Sequence, residues 1–241
     1  MARRQGVQVQ KRKLKVFSSF AKLNPYLIQC QKCPRLVKYR ETVPEAKRFQ
    51  GCSHWRRPVP GFGDPKAWLL ILGLAPSAQG GNRTGRIFTG DASAEFLFKA
   101  LYQVKCAELP YSVHVQDGQK LKGCFLTAGV KCVPPSNLPS IKEMHNCAPY
   151  LWNEIKLLKN ITCVLVLGRF ALNAFLWYAK QEGKNVQGVR FQHGGKVKID
   201  GLPELYMCYH PSPQNTNTGR LTLLNMIRFL ERIWKDHNHS G

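Results

Sequence analysis

Residues 67–91 read AWLLILGLAPSAQGGNRTGRIFTGD and begin with the most apolar stretch of the sequence. Residues 67–72 form an apolar run that has the length of a buried strand and is far too short to span a membrane. A loop rich in Gly and Pro follows. Residues 92–104 then place Phe96, Leu97, Ala100 and Leu101 on one helical face. A strand followed by a loop and a helix is the repeating unit of a parallel α/β sheet.

The same alternation continues to the C-terminus. Further strands are predicted at residues 124–130, 161–167 and 205–209, and further helices at 140–158, 170–179 and 221–234. Ser140 and Glu143 form a capping-box pattern. Residues 17–28 predict a short helix, residues 189–199 a hairpin or edge piece, and residues 30–65 an irregular segment. The sequence therefore predicts a basic arm at 1–16 and a single α/β domain at 17–241, in which helices flank a central parallel sheet in three layers.

The charge balance points to a polyanionic partner. The chain has 36 Lys and Arg against 14 Asp and Glu, which gives a formal charge of +22. Such an excess favours nucleic acid, because binding releases the counterions of the phosphates. A membrane surface is disfavoured, since no basic helix has a broad apolar face. The basic N-terminus lacks the apolar core of a signal peptide, so we expect a cytoplasmic protein.

Three polar loops follow predicted strands. They begin at Gly73, at Lys131 and at His210, and they are rich in Gly, Pro, Ser and Asn. Ligands of parallel sheets bind beyond the carboxyl ends of the strands. We therefore expect these loops to form one crevice.

Four of the nine cysteines suggest metal ligation. Cys30 and Cys33 form a C-x-x-C pair, and Cys132 and Cys147 form a wider one. Zinc and a 4Fe-4S cluster both accept four thiolates, and the wide second pair favours the cluster. The remaining cysteines are predicted to be small core residues; they are Cys52, Cys106, Cys124, Cys163 and Cys208.

Four motifs together resemble family 5 (B-type) of the uracil-DNA glycosylase superfamily, a group from thermophilic archaea and bacteria. They are residues 73–91, the string KCVPPSN at 131–137, the string HPSPQNTNTGRLT at 210–222 and the string RPVPGFGDP at 57–65. The resemblance implies a uracil-DNA-glycosylase-like fold with DNA crossing the strand ends. It implies a monomeric, monofunctional prokaryotic enzyme of base excision repair that acts near the nucleoid. It also implies a structural 4Fe-4S cluster held by Cys30, Cys33, Cys132 and Cys147.

The resemblance also implies a catalytic set. His210 is expected to donate a hydrogen bond to a carbonyl oxygen of the leaving base, where negative charge develops. Better-known members of the superfamily have a water-activating aspartate where this sequence has Ala75. Asp91 is the leading replacement, although an acid at a helix start is also an ordinary cap. Asn137 offers a donor and an acceptor for the base edge or for water.

Further residues are candidates for binding. Phe88 is expected to stack on the flipped base, with a core position as the alternative, and the backbone N–H groups of Leu74 and Ala75 are expected to bind a base carbonyl. Asn82 is expected to shape the pocket, and Asn215 to position the His210 loop or a phosphate. Leu221 is a candidate to fill the gap left by the base. The candidate phosphate contacts are Arg83, Arg86 and Arg220, with Arg56 and Arg57 as further candidates.

The expected substrate is DNA that contains uracil, with weaker activity on hypoxanthine and other deaminated bases. Two alternatives remain open on the residues alone: an inactive nucleic-acid-binding protein that holds a cluster, and an electron-transfer protein. A nucleoside-triphosphate hydrolase is disfavoured, because the G-x-x-x-x-G-K-[ST] pattern is absent from the sequence.

Overall fold

A computed structural model describes residues 15–239, which leaves nearly all of the predicted arm outside the described residues. Its central element is a six-stranded sheet with the strand order β1-β3-β2-β4-β6-β5. The four inner strands are parallel. The strands are β1 (Phe62–Gly63), β2 (Leu69–Gly73), β3 (Cys124–Ala128), β4 (Cys163–Leu167), β5 (Lys196–Val197) and β6 (Glu204–Cys208).

Eight α-helices accompany the sheet in the described part of the chain. They are α1 (Phe20–Leu27), α2 (Pro34–Thr42), α3 (Gly81–Thr84), α4 (Ala92–Gln103), α5 (Ile141–Leu157), α6 (Arg169–Gln181), α7 (Pro213–Thr216) and α8 (Leu223–His239). The predicted capping box at the start of α5 is confirmed, since the Ser140 hydroxyl accepts from the Glu143 N–H and the Glu143 carboxylate accepts from the Ser140 N–H.

The side chains of the inner strands divide the core into two layers. Alternate residues of a strand point to opposite faces of a sheet. Leu70 and Leu72 of β2 therefore pack with α1, α5 and α6, whereas Leu69 and Ile71 pack with α4 and α8. All five residues of β2, β3 and β4 are buried, as expected for strands covered on both faces. This confirms the predicted three-layer α/β fold.

The outer strands depart from a purely parallel sheet. Both β1 and β5 are two residues long and pair antiparallel with their neighbours. The edge piece predicted within residues 189–199 corresponds to β5. No helix in the described residues is long and apolar enough to cross a membrane.

The prediction of an irregular segment at residues 30–65 is wrong in part, because α2 lies within it. Pro34 occupies the start of this helix, where its missing N–H costs nothing and its fixed φ suits the first turn. The polar composition of α2 concealed it, since only Leu36 and Arg40 are buried.

Candidate active site

The loops that follow β2, β3 and β6 lie at one edge of the sheet. The N–H of Val130, after β3, donates to the carbonyl of Leu74, after β2, at 3.0 Å. The N–H of Gly168, after β4, donates to the carbonyl of Cys208 at the end of β6, at 2.8 Å. The first bond joins the carboxyl ends of β3 and β2, and the second joins those of β4 and β6, which agrees with the crevice expected from the loop composition.

His210 lies two residues beyond β6 and is half-buried. Asn215 Nδ2 donates to the His210 carbonyl at 2.8 Å, which fixes the backbone of this loop. Burial lowers the pKa of the His210 imidazole, and the negative charge of Asp91 opposes that shift. The ring is therefore neutral at pH 7 and carries one N–H donor.

The ring of Phe88 lies beside that of His210, and the backbone of Phe88 has an unusual conformation. Its φ is +49°, a value that is rare for an aromatic residue. The two ring centroids are 6.2 Å apart. A Cβ on Gly73 would lie 2.6 Å from the Phe88 ring, so glycine at the end of β2 makes room for it. Strained conformations of this kind cluster at functional sites. Phe88 is 8% exposed and also packs in the core, so both expectations for it are compatible with its position.

Asp91 is the N-cap of α4, and this confirms the capping alternative. Its Oδ1 accepts from the Ala94 N–H at 2.8 Å. Its Oδ2 accepts a short hydrogen bond from the hydroxyl of Ser77, a residue that sequence reasoning missed. Each carboxylate oxygen keeps a lone pair beyond these bonds. Capping therefore does not exclude the expected role with water.

The asparagines and loop residues occupy different environments. Asn82 is fully buried, and its Nδ2 donates to the Arg40 carbonyl at 3.1 Å, so it joins α3 to α2. Asn215 positions the His210 loop, which was one of its two predicted roles. Asn137 is exposed and has a φ of +56°. The base or water contact expected of Asn137 and the base contacts expected of the N–H groups of Leu74 and Ala75 stay predictions. The same holds for the pocket-shaping role of Asn82 and the phosphate contact of Asn215.

The arginines separate by exposure. Arg220 is exposed, and Arg83 is half-buried with its guanidinium 3.8 Å from the Phe49 ring centroid. Arg86 is 6% exposed and forms an ion pair with Asp117, and its side chain also donates to Thr89 and Ser112. The phosphate contact predicted for Arg86 is therefore wrong, because its side chain is buried and paired with Asp117 inside the protein.

The predictions for Leu221 and Cys52 are also wrong. Leu221 is 0% exposed and belongs to the core on the α4 and α8 side, so it is not positioned to fill a gap in DNA. Cys52 is exposed and is not a core residue. The other cysteines predicted for the core are buried; they are Cys106, Cys124, Cys163 and Cys208.

The four candidate ligands Cys30, Cys33, Cys132 and Cys147 line one small cavity between α2, the loop after β3 and α5. All four are free thiols. Burial raises the pKa of Cys132 to about 11, and Arg40 opposes this shift. Within residues 15–239, no group of three or more His, Cys, Asp or Glu side chains is arranged to hold a metal ion.

Three of these four sulfurs each lie within hydrogen-bonding distance of an N–H donor. The Lys131 N–H lies 3.2 Å from Cys147 Sγ, and Asn146 Nδ2 lies 3.5 Å from Cys33 Sγ. Arg40 Nη1 lies 3.3 Å from Cys132 Sγ, and Arg40 is 2% exposed. Such donors stabilise negative charge on sulfur, so the cavity has the chemistry of a thiolate site. Arg40 was missed because a single arginine in a basic segment carries no distinguishing signal.

Comparison with known proteins identifies the family. Residues 60–237 match the model of the uracil DNA glycosylase superfamily. The chain is 43% identical over 210 residues to a type-5 uracil-DNA glycosylase of Pyrobaculum aerophilum, with 87% of this chain and 90% of that protein covered. It is 46% identical over 197 residues to the type-5 enzyme of Thermus thermophilus, with 81% and 88% covered.

A third relative widens the range of organisms. The chain is 43% identical over 207 residues to a type-5 uracil-DNA glycosylase of Mycobacterium tuberculosis, with 85% of this chain and 76% of that protein covered. Each alignment spans more than three quarters of both proteins, and the superfamily match includes β2, β3 and β6 with their loops. The chain belongs to the uracil-DNA glycosylase superfamily and, within it, to the type-5 uracil-DNA glycosylases.

Proposed function

We propose that this protein hydrolyses the N-glycosidic bond of uracil in DNA and leaves an abasic site for base excision repair. The observation that carries the proposal is the ring of His210 just beyond β6, with the ring centroid of Phe88 at 6.2 Å and the Asp91 carboxylate close enough to raise the His210 pKa. Two relatives at 43% and 46% identity are named type-5 uracil-DNA glycosylases. The excess of 22 positive charges suits DNA as the substrate.

The chemistry follows from how charge develops. A base inside a duplex is out of reach, so the enzyme flips it into the pocket, where the Phe88 ring offers a stacking surface. As the bond breaks, the base gains negative charge and the sugar gains positive charge. The N–H of His210 donates a hydrogen bond to a carbonyl oxygen of the base. A neutral imidazole can stabilise the developing negative charge in this way without transferring its proton. Asp91 orients the attacking water and stabilises the sugar cation.

Base preference follows from the pocket. Ala75 replaces the carboxylate of better-known members, so the wall beside the base carries fewer fixed polar groups there. We expect uracil to be the preferred base, with weaker release of hypoxanthine. Because the relatives include a mycobacterial protein, the family does not fix the growth temperature of the source, and a thermophilic origin stays a prediction.

We also propose that Cys30, Cys33, Cys132 and Cys147 hold a 4Fe-4S cluster. Their common cavity and the N–H donors at three sulfurs support it. Zinc would need four sulfurs within about 2.3 Å of one point, whereas a cluster spans a wider gap between thiolates. The cluster would clamp α2 to the loop after β3 and to α5. Iron and sulfide analysis of the purified protein tests this, with Cys52→Ser as the control that retains iron and Cys132→Ser as the variant that loses it.

The activity is tested on a labelled duplex that carries one uracil, followed by alkaline cleavage and sizing. We expect wild-type protein to generate the break. His210→Ala should lower the rate by about 10²- to 10³-fold, because one donor to the developing anion is lost, while DNA binding is kept. The matched control is His237→Ala. His237 stacks on Trp68 and hydrogen-bonds to Thr162, just before β4, at the amino-terminal side of the sheet.

Each outcome bears on the proposal. Loss of cleavage in His210→Ala but not in His237→Ala supports it. Intact wild-type protein that binds DNA but releases neither uracil nor hypoxanthine would instead favour the DNA-binding alternative.

A further inference from the structure

Ser77 lies in the loop between β2 and α3 and connects that loop to α4. Its hydroxyl donates to Oδ2 of Asp91, fourteen residues later. The N–H of Gly80 donates to the same hydroxyl oxygen at 3.0 Å. Because an ionised carboxylate can only accept and the Gly80 N–H can only donate, the hydroxyl proton is directed at the carboxylate.

The packing around this pair leaves no room for a side chain at position 80. A Cβ on Gly80 would lie 2.2 Å from Asp91 Oδ2 and 2.4 Å from Ser77 Oγ. The turn that holds Ser77 is closed by the N–H of Asn82, which donates to the Ser77 carbonyl at 3.0 Å. Ser77, Gly80 and Asp91 therefore form one closely packed polar cluster.

The two oxygens of Asp91 are held by different elements. Oδ1 accepts from the Ala94 N–H of its own helix, and Oδ2 accepts from Ser77 of the β2 loop. Rotation about χ2 of an aspartate is broad, so one hydrogen bond leaves the carboxylate plane free to swing. A second bond from another element fixes that plane relative to the loop that follows β2.

We propose that Ser77 is a positioning residue for the reaction, which acts by orienting the Asp91 carboxylate toward the reacting sugar. This inference rests on the proposed glycosylase function and adds a residue to it. Misplacement of a reacting group by about 1 Å costs up to about 100-fold in rate. Loss of the Ser77 hydroxyl removes one of two restraints on Asp91, while His210 and Phe88 stay in place.

The test is a double-mutant cycle with single-turnover release of uracil as the readout. Ser77→Ala should lower the rate of the chemical step by about 10- to 100-fold and leave DNA affinity unchanged. In an Asp91→Asn background, the same change should have almost no further effect, because the group that Ser77 orients has already been altered. A merely structural serine would instead give losses that multiply in the double variant.

Ser19→Ala is the matched control. The Ser19 hydroxyl also accepts a cap hydrogen bond, from the Lys22 N–H at the start of α1, remote from the strand ends. It should change thermal stability and leave uracil release unchanged. Active wild-type protein together with full activity in Ser77→Ala, or with multiplicative losses in the double variant, would overturn the role of Ser77 alone. Inactive wild-type protein would overturn the proposed function itself.

Discussion

At the scale of single residues, the negative charge of Asp91 acts on the imidazole of His210. Burial lowers the pKa of His210 below the ordinary value of 6.5, and the Asp91 carboxylate raises it again in part. Between the folded and unfolded pKa values, the unfolded chain binds a proton that the folded protein does not. The stability contributed by His210 is therefore present above about pH 6.5 and falls as the pH drops below it.

This pair gives a prediction for titration. Asp91→Asn removes the charge that raises the pKa of His210, so that pKa should fall further. The neutral donor should then persist to lower pH than in the wild type. NMR titration of the His210 ring protons, assigned with His210→Gln, measures the shift. A rise in the His210 pKa in Asp91→Asn would contradict the electrostatic account.

The sequence predicted the main residues of the site better than their hydrogen-bond partners. His210, Asp91 and Phe88 were found because they lie in motifs at strand ends, and the structure brings them together. Ser77 was missed because a serine in a Gly-rich loop is ordinary turn chemistry, and its partner is 14 residues away. Arg86 was misassigned, since nothing in the sequence distinguishes a buried arginine paired with Asp117 from an exposed one.

At the scale of elements, a buried ion pair joins the loop after β3 to α5. Lys131 Nζ lies 2.6 Å from Glu154 Oε2, and the two side chains are 1% and 0% exposed. Thr127 of β3 donates to the same carboxylate at 2.6 Å, and the Gly61 N–H donates to its other oxygen at 3.0 Å. This network holds the KCVPPSN loop, and with it Cys132, against the sheet.

Breaking this network on one side should be costly. Lys131→Met leaves Glu154 buried without its counter-charge, so we expect a loss of about 3–5 kcal/mol in the free energy of unfolding. The double variant Lys131→Met with Glu154→Leu should recover part of that loss. Urea unfolding measures both, with Lys99→Met as the control. Lys99 pairs with Glu95 on the exposed face of α4, where such a pair contributes at most about 0.5 kcal/mol. Equal losses in Lys131→Met and Lys99→Met would contradict this account.

Elements with a strong hydrophobic period were predictable, and those without one were not. The apolar runs at β2 and β4 and the faces of α4 and α8 were located within a few residues of their observed bounds. The helix α2 was not located, because it exposes most of its side chains. The strand β1 was not located, and β5 was located only as a hairpin or edge piece within residues 189–199. Each has only two residues, and its pairing with β3 or β6 depends on tertiary contacts that no local pattern encodes.

At the scale of the whole molecule, the charge of +22 should appear as salt-dependent DNA binding. Each phosphate neutralised contributes about −0.9 to the slope of log K against log salt concentration. Arg220→Gln removes an exposed charge from the segment between α7 and α8, so the slope should become shallower by about 1. Arg86→Gln is the matched control, since its buried guanidinium contacts Asp117. It should lower stability and leave the slope unchanged. Fluorescence anisotropy across a salt series distinguishes the two, and an equal change of slope would contradict the assignment.

The two short outer strands have a consequence for behaviour in concentrated solution. An exposed strand edge is a template on which another chain can add, and natural proteins shorten such edges or place lysine on them. Here each outer strand, Phe62–Gly63 and Lys196–Val197, offers a ladder of only two residues, about 7 Å long. Lys196 also lies on one edge, paired with Glu204 and Asp236. The described sheet therefore resists amyloid-like growth while it stays folded, and aggregation on heating has to begin from unfolded chains.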